Sequence, residues 1–319
     1  MLRHRWIKQT VRWLVLAVLV VVAVVILRKL DQSDTQAGLW VFIGLTLTTG
    51  FFHGALDIVL LQREFVSRYQ LATALTWYAG SALLLAMLCA QSGWLLVLLL
   101  LVMSVWHFGE PYGRWEEDKL NPRAWLQRVI AGGAPVMLPA LLSGQALQTI
   151  LPTAVGIDAE LAFTIWQGLA WLWLGIGGLG IAVLRKRLFS TSLLTEVSLV
   201  LVINLLLSPL MAFSIYFGVF HAMVHIFRFV KNSRHPPEVE KKNGIDRASN
   251  QQIGLAIALT SVATLLLFLI LFWWLQGVAI SADFDQSLLY PILVGLTSVT
   301  FPHLILVSRH SQWLAGLSS

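Results

Sequence analysis

The chain has 319 residues, of which 57% are hydrophobic and 12% are charged, and its formal net charge is +6. A soluble domain carries about twice that charged fraction. Apolar runs of about 20 residues, long enough to cross a bilayer, recur along the chain. The low charge and these runs exclude a soluble globular protein and predict an all-α, multi-pass transmembrane bundle. The single cysteine, Cys89, excludes an internal disulfide framework, a cysteine-rich zinc site and an iron–sulfur cluster.

We predict about ten membrane-spanning helices, with eight to ten compatible with the pattern, in one transmembrane domain over residues 1–319. The predicted spans are residues 12–28, 38–61, 71–90, 94–109, 124–150, 160–184, 190–208, 210–230, 251–275 and 288–308. The first is expected to be an anchor helix, because "RKLDQS" rather than a small-residue cleavage site follows it. The fifth is expected to be broken or partly re-entrant, because it contains a glycine pair, two prolines and Arg128.

Charge placement predicts that both termini are cytoplasmic. With that orientation, 20 of the 22 Lys and Arg residues fall in cytoplasmic segments, and only Arg28 and Lys29 fall outside. Such an asymmetry is typical of membrane proteins, whose cytoplasmic loops are rich in basic residues. The positive net charge therefore indicates loops that face anionic lipid, and no nucleic-acid partner is expected.

Histidines are the polar residues that stand out inside the predicted spans. Five lie there: His53, His107, His221, His225 and His303. Each precedes a cytoplasmic basic residue by three to ten residues, which at about 1.5 Å per residue puts all five at roughly 5–15 Å from that side. Neutral imidazole is the form that binds metals, and polar groups inside a bilayer are costly and usually functional. The set predicts a metal or haem site, with a structural role or a proton relay as alternatives.

Two carboxylates lie close to these histidines in sequence. Asp57 follows His53 by one helical turn, and Glu110 follows His107 by three residues. Metal-bound imidazoles commonly donate their second N–H to a carboxylate, which fixes the orientation of the ring. We therefore expect Asp57 and Glu110 to orient ligands rather than to bind the metal.

Ligand type alone does not identify the cofactor, because imidazole suits zinc, copper, iron and nickel. A histidine-ligated membrane haem or redox protein remains an alternative, although His221 and His225 cannot both be axial to one haem from the same helix face. A non-enzymatic proton-coupled transporter is a second alternative. It would be expected to bury several carboxylates, whereas only Asp57 and Glu196 clearly lie within the predicted spans.

Four segments of the sequence resemble the histidine motifs of the Brp/Blh family of integral-membrane β-carotene 15,15′-dioxygenases. They are "GFFHGALD", "VWHFGE", "FHAMVHIFR" and "FPHLILVSRH". They occur in the order of the family and cover roughly residues 38–310, so the anchor helix and loop of residues 1–37 lie outside the resemblance. The resemblance implies a multi-pass protein of the bacterial inner membrane, with a functional link to a retinal-binding rhodopsin.

The activity implied by this resemblance is cleavage of the central double bond of β-carotene by O₂, which gives two molecules of all-trans retinal. The implied cofactor is a non-haem ferrous iron, Fe(2+), with His53, His107, His221 and His225 as ligands. His303 is expected to be either a further ligand or a group that hydrogen-bonds to one. Aromatic residues near these histidines are candidates to line a substrate tunnel, namely Trp106, Phe108, Phe217, Phe220 and Phe227.

Overall fold

The computed structural model describes residues 36–65, 67–112, 121–155, 158–184, 191–234 and 288–309, together with scattered residues between 23 and 31 and between 255 and 273. Over the continuous ranges the chain is helical apart from short connections, as the apolar runs predict. The α-helices, in chain order, are α1 (Ala37–Leu45), α2 (Phe51–Glu64), α3 (Arg68–Gln91), α4 (Gly93–Gly109), α5 (Pro122–Leu142), α6 (Gly144–Val155), α7 (Ala159–Leu184), α8 (Thr191–Leu206), α9 (Pro209–Ile215), α10 (Met223–Arg234) and α11 (Leu289–Arg309).

Seven helical runs in the described part of the chain are long and apolar enough to cross a membrane. They correspond to seven of the ten predicted spans, and the multi-pass membrane character of the protein is therefore confirmed. The span predicted at 190–208 corresponds to a shorter apolar helix, Leu193–Leu206. The first and ninth predicted spans, 12–28 and 251–275, lie outside the continuously described residues.

The fifth predicted span is broken, which was one of the two expected forms. Residues 124–150 form α5, which ends at Leu142, and the start of α6, which begins at Gly144. The N–H of Ser143 still donates to the carbonyl oxygen of Pro139, but its backbone leaves the helical region at φ −135° and ψ 36°. Both prolines of this region lie inside α5, where each removes one backbone hydrogen bond.

The helices differ in how far the rest of the protein covers them. About two-thirds of the α5 span (67%) is buried, against 11% of the α3 span. The exposed surface of α3 carries large apolar side chains such as Trp77 and Leu84, which is the surface expected of a helix that faces lipid. Helices α4 and α5 touch through their backbones, since a Cβ atom on Gly132 would lie 1.9 Å from the carbonyl oxygen of Val105.

Two π-helical segments interrupt the helices that carry three of the histidines. Segment π1 (Thr46–Gly50) joins α1 to α2, and segment π2 (Tyr216–Ala222) joins α9 to α10. In π1 the hydroxyl of Thr49 donates to the carbonyl oxygen of Leu45 at 2.9 Å, and such side-chain bonds compete with the regular helical ladder. The segments pack against each other, because a Cβ on Gly50 would lie 2.8 Å from the ring of Phe217.

Candidate metal centre

Five imidazoles from four separate helical runs meet inside the bundle. His53 comes from α2, His107 from α4, His221 from π2, His225 from α10 and His303 from α11. All five side chains are buried, with 4–6% of their surface exposed. Neighbouring ring centroids are separated by 4.5 to 6.0 Å. Residues up to 250 positions apart in sequence therefore form one cluster, as their common depth in the predicted spans indicates.

Three of the five rings lie where they could hold a metal ion together. His53, His107 and His303 each offer one nitrogen, and these three atoms lie within 4.8 Å of one another. His221 and His107 are joined by a hydrogen bond of 2.8 Å between their Nε2 atoms. Among the described residues, neither ring nitrogen of His53, nor Nδ1 of His107, nor Nε2 of His303 has a hydrogen-bond partner. Buried polar atoms without partners are costly, and a metal ion bound among these rings would remove that cost.

Asp57 has a different histidine partner from the one that its sequence position suggests. The Nδ1–H of His303 donates to the Asp57 carboxylate and lies 2.8 Å from both of its oxygens. His53, one turn earlier on α2, makes no such bond. The pairing of Asp57 with His53 is therefore corrected: α11 packs across α2 and brings His303 to the carboxylate. Since Nδ1 of His303 is held there, its Nε2 is the nitrogen left to face the other rings.

Tyr78 of α3 completes this arrangement and was not predicted from the sequence. Its hydroxyl donates to Oδ2 of Asp57 at 2.6 Å, and Asp57 is 2% exposed. A buried tyrosine hydroxyl usually finds a hydrogen-bond partner, so a tyrosine in the middle of an apolar span was the available signal. The partner itself could not be inferred, because the two residues lie on different helices.

A second carboxylate joins two of the histidine-bearing segments. Glu196 of α8 accepts hydrogen bonds from the hydroxyl groups of Tyr112, at 2.5 Å, and Tyr216, at 2.9 Å. Tyr112 ends the short 3₁₀ turn that follows α4, and Tyr216 begins π2. Glu196 thereby links the end of the helix that carries His107 to the start of the segment that carries His221.

Two charged residues that the sequence singled out lie near the end of α4. Arg128 is buried, and its guanidinium lies 4.4 Å from the centre of the Trp106 ring, a distance at which cation–π attraction operates. Glu110 begins the 3₁₀ turn after α4 and is partly buried. Glu110 is not one of the three residues whose ligand atoms could hold a metal ion together.

A cavity opens beside the imidazoles, and we call it the histidine chamber. Its lining includes His53, His107 and His303 together with Gly54, Phe108 and Phe217. A Cβ atom added at Gly54 would have no neighbouring atom within 4 Å. The glycine therefore leaves space directly next to His53.

The predicted tunnel aromatics separate into two groups. Phe108 and Phe217 line the histidine chamber, and the Phe108 ring packs edge-on against His221 at 4.7 Å. The other three are not brought to it: Trp106 packs against Trp125, while Phe220 and Phe227 are 37% and 64% exposed. Phe213, one turn before Phe217, also lines the chamber. It was missed because it is four residues further from His221 in sequence.

Comparison with known protein families matches residues 43–310 to a family described as Beta-carotene 15,15'-dioxygenase. No curated protein and no solved structure matches the chain. The matched segment covers most of the sequence and contains all five buried histidines, so the resemblance carried by the four histidine motifs is confirmed. The chain belongs to the β-carotene 15,15′-dioxygenase family, and it is an oxidoreductase.

Proposed function

We propose that this protein cleaves the central 15,15′ double bond of β-carotene with O₂ and releases two molecules of all-trans retinal. Each half of the broken double bond takes one oxygen atom, so O₂ is consumed completely and no separate reductant is needed. The observation that carries the proposal is the meeting of five buried imidazoles beside an apolar cavity. The family match supplies the substrate class.

We propose Fe(2+) as the cofactor, with His53, His107, His221 and His225 as ligands. When bound, ferrous iron supplies the redox chemistry that makes O₂ reactive toward an alkene. The proposal is supported by the donor set, because neutral imidazoles suit iron among several metals. It is also supported by the family match, which implies an oxygen-using reaction.

His303 is proposed as a fifth ligand, oriented by Asp57. The hydrogen bond from its Nδ1 to Asp57 leaves Nε2 directed toward the other rings. A carboxylate in this position fixes which nitrogen carries the proton and increases the basicity of the other one. We propose a smaller orienting role near His107 for Glu110, which follows that histidine by three residues.

The remaining residues of the histidine chamber would hold the hydrocarbon. Phe108 and Phe217 offer aromatic faces to a conjugated chain, and Gly54 leaves room for it next to His53. Because these side chains are apolar, they exclude water from the reacting bond. The substrate dissolves in the bilayer, so a chamber inside the membrane does not require its extraction into water.

The packing of the rings argues against a haem protein. Neighbouring imidazoles are separated by only 4.5 to 6.0 Å, and a planar macrocycle placed between any two of them would collide with the other three. A proton-coupled transporter is also disfavoured, because it would be expected to bury several carboxylates and Asp57 is the one carboxylate among the buried residues of the described helices.

The direct test is expression in a bacterial host that accumulates β-carotene. We expect loss of the orange colour and formation of all-trans retinal, measured by chromatography, while a His53→Ala variant at equal membrane abundance leaves the colour unchanged. Metal analysis of the purified protein should find iron, and its visible spectrum should lack the Soret band of a haem. Iron-loaded protein that is present in the membrane and produces no retinal would disprove the proposed reaction.

We further propose that both termini are cytoplasmic, which places the histidines in the cytoplasmic half of the membrane. The support is the distribution of basic residues, 20 of 22 on one side. Reporter fusions at Ser319 and within residues 31–36 should report opposite compartments, and a fusion within residues 113–120 should match the one at Ser319. A periplasmic C-terminus would show that the number of spans is odd.

A further inference from the structure

A second cavity lies next to the histidine chamber, and we call it the apolar chamber. Leu100 of α4 and Phe213 of α9 line both cavities. Its other walls come from α1, α4, α5, α6, α7 and α11 and include Phe42, Leu96, Val136, Leu147, Trp166 and Leu293. Every lining side chain is apolar except for the indole N–H of Trp166, which donates to the carbonyl oxygen of Val136 at 2.7 Å.

On the histidine-bearing helical runs that line it, the apolar chamber precedes the first histidine of each run by six to fourteen residues. On three of these runs Phe42 precedes His53, Leu96 precedes His107 and Leu210 precedes His221. Between Leu96 and His107, where the helix is regular, the separation of eleven residues corresponds to a rise of about 16 Å. The three runs therefore extend from the apolar chamber toward the imidazoles in the same direction, and they hold the two cavities in a fixed relation.

We propose that the apolar chamber receives one end of the carotenoid and thereby determines which double bond is cleaved. This inference rests on the proposed function. A fully conjugated chain is rigid, so the position of its end determines which of its bonds lies beside the imidazoles. The end of a hydrocarbon needs a cavity without polar groups, and the lining of the apolar chamber provides one. Leu100 and Phe213 form the passage through which the chain runs from one cavity to the other.

This arrangement explains how a site without polar contacts to its substrate can select a single bond. A hydrocarbon offers no hydrogen-bonding group by which its position could be fixed, so only shape can fix it. One arm lies in the apolar chamber, and the opposite arm extends from the histidine chamber. The depth of the apolar chamber then sets the length of the first product.

The test uses two substitutions on α6, a helix that carries none of the five histidines. Leu147→Phe reduces the depth of the chamber, and Ile150→Ala increases its volume. Leu172→Phe, on the exposed surface of α7 with 58% of the leucine exposed, is the matched control. Iron content and membrane abundance are measured for each variant alongside the products formed from β-carotene.

We expect Leu147→Phe to lower kcat/KM for β-carotene by about tenfold or more, because a pocket that loses room for a methylene group discriminates by about 10–200-fold. Its remaining products should include unequal apocarotenals, whereas Leu172→Phe should give retinal alone. Ile150→Ala should yield unequal products with little loss of total turnover. If Leu147→Phe does not accumulate in the membrane, the products of Ile150→Ala test whether the apolar chamber selects the bond that is cleaved. Retinal as the sole product of both α6 variants, at the kcat/KM of the control, would overturn the inference.

A binding measurement separates this inference from the proposed reaction. Metal-free protein is titrated with β-carotene, and quenching of tryptophan fluorescence reports binding. Leu147→Phe should weaken this binding by about tenfold, and Leu172→Phe should not change it. If the wild-type protein binds β-carotene in this manner and yet forms no retinal when loaded with iron, the proposed reaction fails and the chamber assignment stands. If the wild type, Leu147→Phe and Leu172→Phe bind β-carotene equally, the apolar chamber takes no part in substrate recognition.

Discussion

The histidine chamber and the apolar chamber share two wall residues and differ in almost every other respect. The first is bordered by buried imidazoles, one of which is hydrogen-bonded to a carboxylate. The second is bordered by apolar side chains whose one polar group is already bonded to the backbone. The same helical runs build both, since Phe42 and His53, or Leu96 and His107, belong to single runs. The polar and the apolar cavity are therefore separated along the axis of the helices that line both, and not by assignment to different helices.

The largest effect should come from removing a ring of the cluster. We expect His53→Ala, His107→Ala, His221→Ala or His225→Ala each to abolish iron binding and retinal formation, because a site that loses one proposed ligand loses both its geometry and a donor. Iron analysis and retinal yield measure this at equal membrane abundance. Turnover at the wild-type level in any two variants would mean that the polar end of the bundle is not the metal site.

A substitution that fills the histidine chamber should separate metal binding from hydrocarbon binding. Gly54→Leu places a side chain in space where a Cβ meets nothing within 4 Å, so the fold and the iron content should be preserved. Turnover should fall by about 100-fold, since a displacement of about 1 Å in a reacting group can cost that much.

Gly44→Leu is the matched control for this substitution. Gly44 on α1 also has nothing within 4 Å of its Cβ position, but it is exposed and does not line the chamber. Wild-type turnover is expected there. Equal losses at Gly44 and Gly54 would attribute the effect to the helix rather than to the chamber.

Removing the carboxylate that orients His303 should have an intermediate effect. Asp57→Asn keeps the size of the side chain but weakens its hold on Nδ1 of His303, and loss of such a partner typically costs 10–100-fold in metal affinity or activity. Added ferrous iron should recover part of the turnover. Retinal yield across an iron titration measures both quantities.

Glu110→Gln provides the comparison for Asp57→Asn, and we expect it to cost less. If Asp57→Asn has the turnover and iron affinity of the wild type, Asp57 is a buried, hydrogen-bonded residue without a role in the metal site. Complete inactivity at saturating iron would instead assign it a direct part in metal binding or in the reaction.

The smallest effect on iron binding is expected at the apolar end. Trp166→Phe removes the hydrogen bond to the Val136 carbonyl oxygen and should lower the free energy of unfolding by about 0.5–1.5 kcal/mol. Its iron content should equal that of the wild type, which thermal unfolding in detergent and metal analysis would check together. A loss of iron in this variant would show that the two chambers are not independent.

Much of the fold could be predicted because membrane helices are defined by local composition. The span predicted at 94–109 forms a helix over Gly93–Gly109, and the one predicted at 288–308 forms a helix over Leu289–Arg309. The meeting of the histidines could also be expected, because depth in the membrane follows from distance along each helix. Such depth says which residues share a layer, but it does not say which of them touch.

The features that could not be predicted depend on how the helices are rotated and paired. Asp57 contacts His303, which is 246 positions away, because α11 rather than the preceding turn of α2 occupies that face. The contact of Glu196 with Tyr112 and Tyr216 has the same origin. The apolar chamber was not predicted because its walls are ordinary apolar residues, and a cavity between such residues has no distinct sequence pattern.

The two π-helical segments are the places where the histidine-bearing helices can absorb a change in chain length. Each one carries an extra residue relative to the regular helix around it, so deletion of a single residue from Thr46–Gly50 or Tyr216–Ala222 would let the segment close into α-helix. The helices on either side would keep roughly their relative orientation, because the wider turn already accommodates the extra residue. The same deletion in the regular helix nearby would turn everything beyond it by about 100°. Relatives of this chain should therefore accept a single-residue gap in these two segments more readily than elsewhere in the same helices.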